Sequence, residues 1–133
     1  MTLKIMKSVV IKLFEHAMRD APIEACGYIA GNGEIVSEAV CMNNIDQSPE
    51  HFSFDPQEQF NVVRELRKKG LKIMGVYHSH PVSPPRMSQE DIRLAYDQKI
   101  SYIIVSLQDK PFLIKSFRKK GQTIVEEDIE ILE

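Results

Sequence analysis

The sequence is poor in several things, and each shortage removes a class of protein. Cysteine is scarce: Cys26 and Cys41 are the only two, and they do not form a CxxC pair. They allow at most one disulfide, and reduced thiols are the expectation in a reducing compartment. Positive charge is not in excess. Lys and Arg number 17 against 19 Asp and Glu, a formal net charge of −2, so the field that draws proteins to nucleic acid is missing. No apolar run approaches the roughly 18 residues needed to span a bilayer, which excludes a membrane-spanning helix. The opening residues, Met1-Thr2-Leu3-Lys4-Ile5-Met6-Lys7, lack a signal-peptide core with a small-residue cleavage site, and the expected location is the cytoplasm. Repeats, low-complexity tracts and linker-like stretches are absent too.

What is present is globular. The chain has 133 residues, 43% hydrophobic and 27% charged. That is too apolar for disorder and long enough for one core, not two. A single domain over 1–133 is expected. Val10, Leu13, Phe14, Ala17 and Met18 form one helical stripe, with Ser8 as a cap and Asp20-Ala21-Pro22 as the stop. Strands at 26–30 and 34–40 flank Gly31-Asn32-Gly33, a hairpin loop. A second helix starts at Asp55-Pro56, with Glu58 completing a capping box, Phe60, Val63 and Leu66 on its buried side, and Gly70 beyond its end. A buried strand at 71–77 follows, then a helix from Ser88 to about Tyr96, then strands at 101–107, 111–118 and 122–125. The alternation predicts an α/β (α+β) fold, a mixed sheet packed between helices.

The chemistry concentrates in His78-Ser79-His80-Pro81, six residues, then Ser88-Gln89-Glu90-Asp91. Residues two apart on a strand point the same way, so His78 and His80 can aim both rings at one point, with Ser79 facing away. Asp91, in the first turn of the next helix, can return to that point. Two imidazoles and one carboxylate leave a fourth tetrahedral position for water, the pattern of a catalytic zinc site. Glu24 precedes the 26–30 strand. If that strand neighbours 71–77, its carboxylate can take the proton of the zinc water and hand it to a leaving amine. Ser88 can offer its hydroxyl to a developing oxyanion.

Each fragment alone has an ordinary reading. A pair of strand histidines can simply pack. Ser88-x-x-Asp91 is a capping box worth about 1 kcal/mol of helix stability. Glu24 alone reads as a solvated carboxylate. Together, Glu24 … His78-Ser79-His80-Pro81-x6-Ser88-x-x-Asp91 resembles the signature of the JAMM (MPN-plus) zinc metalloproteases, E … H-[ST]-H-P-x(several)-S-x-x-D, at each of its positions. The likeness extends to Glu24-Ala25-Cys26-Gly27 and to residues 44–60. It implies a cytidine-deaminase-like JAMM/MPN domain with one Zn2+ per chain. His78, His80 and Asp91 would be ligands, Glu24 the general acid/base, and Ser88 the oxyanion stabiliser. It implies cleavage of the bond after the C-terminal Gly-Gly of a ubiquitin-like protein. The short chain has no room for the insertions of the eukaryotic deubiquitinases. It is most similar to the prokaryotic branch acting on sulfur-carrier proteins.

Other readings stand beside this one. Some relatives of the fold have lost their metal and act as scaffolds or binding modules. A two-His-one-carboxylate set also suits mononuclear iron. Cys26 could be a nucleophile beside Glu24, although a small buried residue is the plainer reading. Arg86 could meet a carboxylate or be merely solvated. His16, off the apolar stripe, is expected to face solvent, as is the acidic run Glu126-Glu127-Asp128, and His51 sits in a polar loop. Exposed strand edges could pair in a homodimer.

Overall fold

A computed structural model describes residues 1–133. Seven strands and three helices follow in the order β1 (Thr2–Met6), α1 (Lys7–Asp20), β2 (Cys26–Gly31), β3 (Ile35–Met42), α2 (Pro56–Lys68), β4 (Lys72–His80), α3 (Gln89–Leu94), β5 (Ser101–Ser106), β6 (Leu113–Lys120) and β7 (Thr123–Leu132). The sheet is mixed, with strand order β1-β3-β2-β4-β5-β6-β7, and β1 also pairs with β7 to close it into a barrel. The pairs β1–β3, β1–β7 and β4–β5 are parallel; the rest are antiparallel. No helix is long and apolar enough to cross a membrane.

Strand alternation divides the sheet into two faces. On the inner face Ile29, Tyr77, Ile103 and Val105 pack with Val9, Val10, Leu13 and Ala17 of α1. On the outer face Cys26, Tyr28 and Met42 meet Phe52, Phe54 and Val62, where α2 and the loop before it lie over the sheet. The expected mixed sheet between helices is what forms, strongly curled.

The departures have physical causes. The strand β1 was not foreseen, because five residues with Lys4 in the middle carry a weak pattern. Two long-range parallel pairings hold it, with Leu3 and Ile5 buried in the core. Because β1 runs straight into α1, the helix starts at Lys7 with Met6 in the cap position, and Ser8 caps nothing. Met18 is exposed. Asp55 makes no side-chain cap bond, and Glu58 instead accepts from the backbone N–H of Asn43 (3.0 Å) and from its side-chain amide (3.3 Å). Phe60 faces solvent under the Arg64 guanidinium, while Val62 and Leu66 turn inward. The helix α3 stops at Leu94, and Tyr96 is exposed. Both cysteines are free, so there is no disulfide. Barrel closure also leaves fewer free strand edges for dimer pairing than an open sheet would.

Two polar residues expected at the surface are inside. Alternation along β7 turns Glu127 inward, where its Oε1 accepts from Ser101 Oγ (2.5 Å) and Ser116 Oγ (2.7 Å). His16 lies on the line Leu13–His16–Asp20 and is 2% exposed. Its Nδ1 meets Tyr77 Oη at 2.7 Å and its Nε2 meets Asp20 Oδ2 at 3.0 Å, so both ring nitrogens are satisfied. Burial lowers the His16 pKa, with Asp20 only partly opposing it.

A group whose folded-state pKa is depressed stabilises the fold above its unfolded value of about 6.5 and loses that contribution as pH falls through the folded value. The stability margin of wild type over His16→Gln should therefore narrow between pH 7.5 and pH 5.5, read as urea midpoints. A constant margin would contradict a neutral buried His16.

Candidate metal centre

The strand β4 lies between β2 and β5 and carries the two histidines at its end. Val76, His78 and His80 point to the outer face; Tyr77 and Ser79 point inward. The rings converge, with His78 Nε2 and His80 Nε2 3.1 Å apart. The chain turns at Pro81 and comes back through residues 82–87. Ser88 then caps α3: its Oγ accepts from the Asp91 backbone N–H (3.0 Å), and its own N–H donates to Asp91 Oδ2 (3.0 Å). The capping box is thus real, and it also fixes the Asp91 carboxylate. Oδ1 lies 3.2 Å from His78 Nε2, and Oδ2 lies 3.1 Å from His80 Nε2. One ligand atom from each residue falls within a 4.8 Å cluster.

The donor set suits a divalent cation. His80 Nδ1 lies 2.9 Å from the Pro84 carbonyl oxygen, which only accepts, so the ring proton belongs on Nδ1 and Nε2 presents a bare lone pair. That nitrogen faces a second imidazole nitrogen and a carboxylate. Burial opposes ionisation of Asp91, but the two facing histidines outweigh it and hold its carboxyl well below the usual range. Two imidazoles and one carboxylate match zinc.

Glu24 stands beside this cluster at the entry to β2. It is 3% exposed, and its Oε1 is buried without a hydrogen-bond partner. Burial pushes its pKa up to about 8, with His80 opposing and Asp91 and Glu90 adding to the rise. A buried orphan oxygen costs about 1–3 kcal/mol, and such atoms persist where a bound group or a reaction uses them. Its backbone is held on three sides. The Glu24 N–H donates to Ser48 O (2.9 Å), and its carbonyl accepts from Asn44 Nδ2 (3.1 Å). The next residue, Ala25, is tied to Ser79 by two bonds, Ala25 N–H to Ser79 Oγ (2.7 Å) and Ser79 N–H to Ala25 O (2.9 Å). Ser79, facing away from the rings, thereby locks Glu24 to the strand that carries them.

The remaining candidates are placed as follows. Ser88 is exposed; its oxygen accepts from Asp91, and its hydroxyl proton stays free to donate. Cys26 is paired opposite His78 but wholly buried among apolar side chains, and burial pushes its thiol up to about 12, which suits a core residue and not a nucleophile. Arg86 is exposed. His51 bonds Asp46 Oδ2 (3.0 Å). Sequence reasoning missed two residues. Phe52 stacks on the His78 ring, centroids 4.9 Å apart and planes 28° apart. Asn44, buried, donates to both Glu24 O and His51 O and accepts from Asp46 and Ser53 N–H groups, so one side chain holds the Glu24 segment and the loop bearing Phe52. Their signal was the polar loop before α2, too irregular to read.

A cleft of about 580 Å³ opens from His78 and Asp91, and Tyr28, Phe54, Gln59 and Tyr102 line it farther along.

Comparison with known proteins agrees with this geometry. Residues 6–120 match the model of the prokaryotic homologs of the JAB domain. The chain is 30% identical to the CysO-cysteine peptidase of Mycobacterium tuberculosis over 134 residues, covering 98% of this chain and 92% of that one. It is 31% identical to the desampylase of Haloferax volcanii, covering 74% and 73%. Among solved structures, a Desulfitobacterium hafniense protein superposes with a TM-score of 0.90 at 41% identity over 100% of this chain and 94% of the other. A JAB1/MPN domain protein from Archaeoglobus fulgidus shares the fold, with a TM-score of 0.69 at 24% identity over 98% and 100%. The chain belongs to the prokaryotic JAB family, a branch of the JAMM/MPN proteins.

Removing a metal ligand should cost more than the roughly 10–100-fold that follows loss of an outer partner. Asp91→Ala is expected to weaken zinc affinity at least about 100-fold in competition with a chromophoric chelator. Unchanged affinity would place the ion elsewhere.

Proposed function

We propose that this protein is a zinc metallopeptidase of the cytoplasm that cleaves the bond after the C-terminal Gly-Gly of a small sulfur-carrier or ubiquitin-like protein. It is a hydrolase of the JAMM type. The observation that carries the finer reading is the buried, unpartnered Glu24 carboxylate set beside two converging imidazoles and a carboxylate. His78, His80 and Asp91 would hold one zinc ion, which lowers the pKa of a water to roughly 7 and polarises a carbonyl.

The chain's own groups do the rest. Glu24 has a free oxygen beside the cluster, so it takes the proton of the attacking water and returns it to the leaving amine. Asn44 and the Ser79–Ala25 pair keep that oxygen aimed. Ser88 donates its hydroxyl proton to the charge that develops on the carbonyl oxygen. Pro84 holds His80 in the tautomer that leaves Nε2 bare. The cleft beside the cluster suits an extended chain end. Glycines have no side chains to exclude them from a narrow passage near the ligands.

The relatives' names support the substrate class. One is a peptidase of a CysO–cysteine conjugate. Another, 33% identical and from Thermus thermophilus, is described as a probable TtuB-protein conjugate cleaving protease; the match covers 67% of this chain and 60% of that one.

The test is incubation with small carriers ending in Gly-Gly, each conjugated to cysteine or lysine, followed by intact mass. Release of free carrier is expected; no mass change with any conjugate would remove the substrate assignment. Glu24→Gln should keep about one zinc per chain and lose at least about 100-fold in turnover, within the span of general acid–base effects. Equal turnover would strip Glu24 of its role. A zinc chelator should abolish cleavage and iodoacetamide should not; the reverse pattern would indicate a cysteine enzyme.

A further inference from the structure

We propose that Tyr28 and Gln59 form a backbone-reading subsite for the peptide unit joining the first glycine of the carrier's Gly-Gly end to the residue before it. The inference rests on the functional reading above and extends it from the reacting bond to the tail that precedes it.

The cleft that begins at His78 and Asp91 is mostly apolar and aromatic, with Tyr28, Phe52, Phe54 and Tyr102 among its walls. Within that wall one polar pair stands out. Gln59 Nε2 donates to Tyr28 Oη at 2.7 Å. The bond consumes an acceptor on the tyrosine and a donor on the glutamine. It leaves the Tyr28 O–H as a donor and Gln59 Oε1 as an acceptor, neither with another partner in the protein. The two complement one peptide unit, whose carbonyl accepts and whose N–H donates. The tyrosine is firmly backed, and its bond holds the exposed Gln59 side chain over the cleft. Tyr28 is 5% exposed and its ring packs on Phe54, centroids 5.0 Å apart. Burial raises the phenol's pKa, so it keeps its proton at neutral pH.

The spacing is set by the sheet. Cys26 pairs opposite His78 and Tyr28 opposite Val76, so Tyr28 lies two residues along the sheet from His78 on the same face. Two strand residues span about 6–7 Å, the length of one extended dipeptide. With the last glycine's carbonyl at the His78–His80–Asp91 cluster, the carbonyl two residues upstream is level with Tyr28. That carbonyl belongs to the residue before the Gly-Gly, and the N–H of the same unit belongs to the first glycine. A tail without side chains at two positions leaves its backbone as the feature to recognise. A donor–acceptor pair one dipeptide from the reacting carbonyl supplies such recognition, because an unmatched polar group in an apolar cleft is costly.

The experiment compares two synthetic tails ending in X-Gly-Gly-Cys: the all-amide peptide, and one in which the X–Gly amide is replaced by an ester, which removes a single N–H. Wild type should show a KM about 5–10-fold higher for the ester, with kcat within about twofold. Gln59→Leu should raise KM for the amide and treat the two tails alike. Tyr28→Phe, which keeps the ring, should raise KM for both tails while preserving their ratio. Zinc content and melting temperature of each variant establish that it is folded and loaded. Equal KM values for the two tails with wild type, or undiminished discrimination by Gln59→Leu, would overturn the subsite while leaving the peptidase reading standing. Failure of wild type to release cysteine from the amide tail while whole carrier conjugates are cleaved would overturn the subsite alone; failure on both would overturn the functional reading, and the subsite with it.

Discussion

Two imidazole nitrogens 3.1 Å apart, with a carboxylate oxygen within 3.2 Å of each, are held together at the end of one strand. In a buried place a carboxylate facing two imidazoles needs a compensating positive charge, either a proton on a ring or a bound cation. Everything near the cluster serves to impose that convergence. Strand alternation aims the two rings, the Pro84 carbonyl takes the His80 Nδ1 proton, Phe52 braces His78, and the cap of α3 fixes Asp91. The bonds that stabilise the helix start also fix the Asp91 carboxylate against the two rings, so one arrangement caps the helix and completes the cluster.

The second constraint is the neighbouring glutamate. Its oxygen lacks a hydrogen bond although its backbone and flanking residues are thoroughly bonded. Asn44 and Ser79 fix the placement of this segment, yet the carboxylate oxygen itself is left unpaired. The pairing of β2 with β4 brings Glu24 to the cluster. The outer face, freed from the main core, is left to form the cleft.

The same sheet geometry relates the His78–His80–Asp91 cluster to the cleft wall. Because β2 and β4 are in register, the distance from the histidines to Tyr28 is counted in strand residues, the same unit in which an extended chain end is measured.

Much of the centre was legible in the chain because its determinants are local. His78 and His80 are two apart on a strand, and Ser88 and Asp91 are three apart at a helix start, so period and capping rules suffice to orient them. Glu24 could be named from its place in the motif, but its contact with the cluster depends on which strand neighbours which. Other features were illegible for the same reason. His16 read as a surface residue because its partner Tyr77 is sixty-one positions away; Glu127 read as one of three exposed acids until Ser101 and Ser116 came to meet it. The strand β1 owes its existence to two sequence-distant partners, β3 and β7. By itself, then, the sequence determined periods, caps and the donor types. Tertiary structure alone decided strand neighbours, barrel closure, the Phe52 brace and the Tyr28–Gln59 pair, because each is a contact between segments whose spacing carries no local signal.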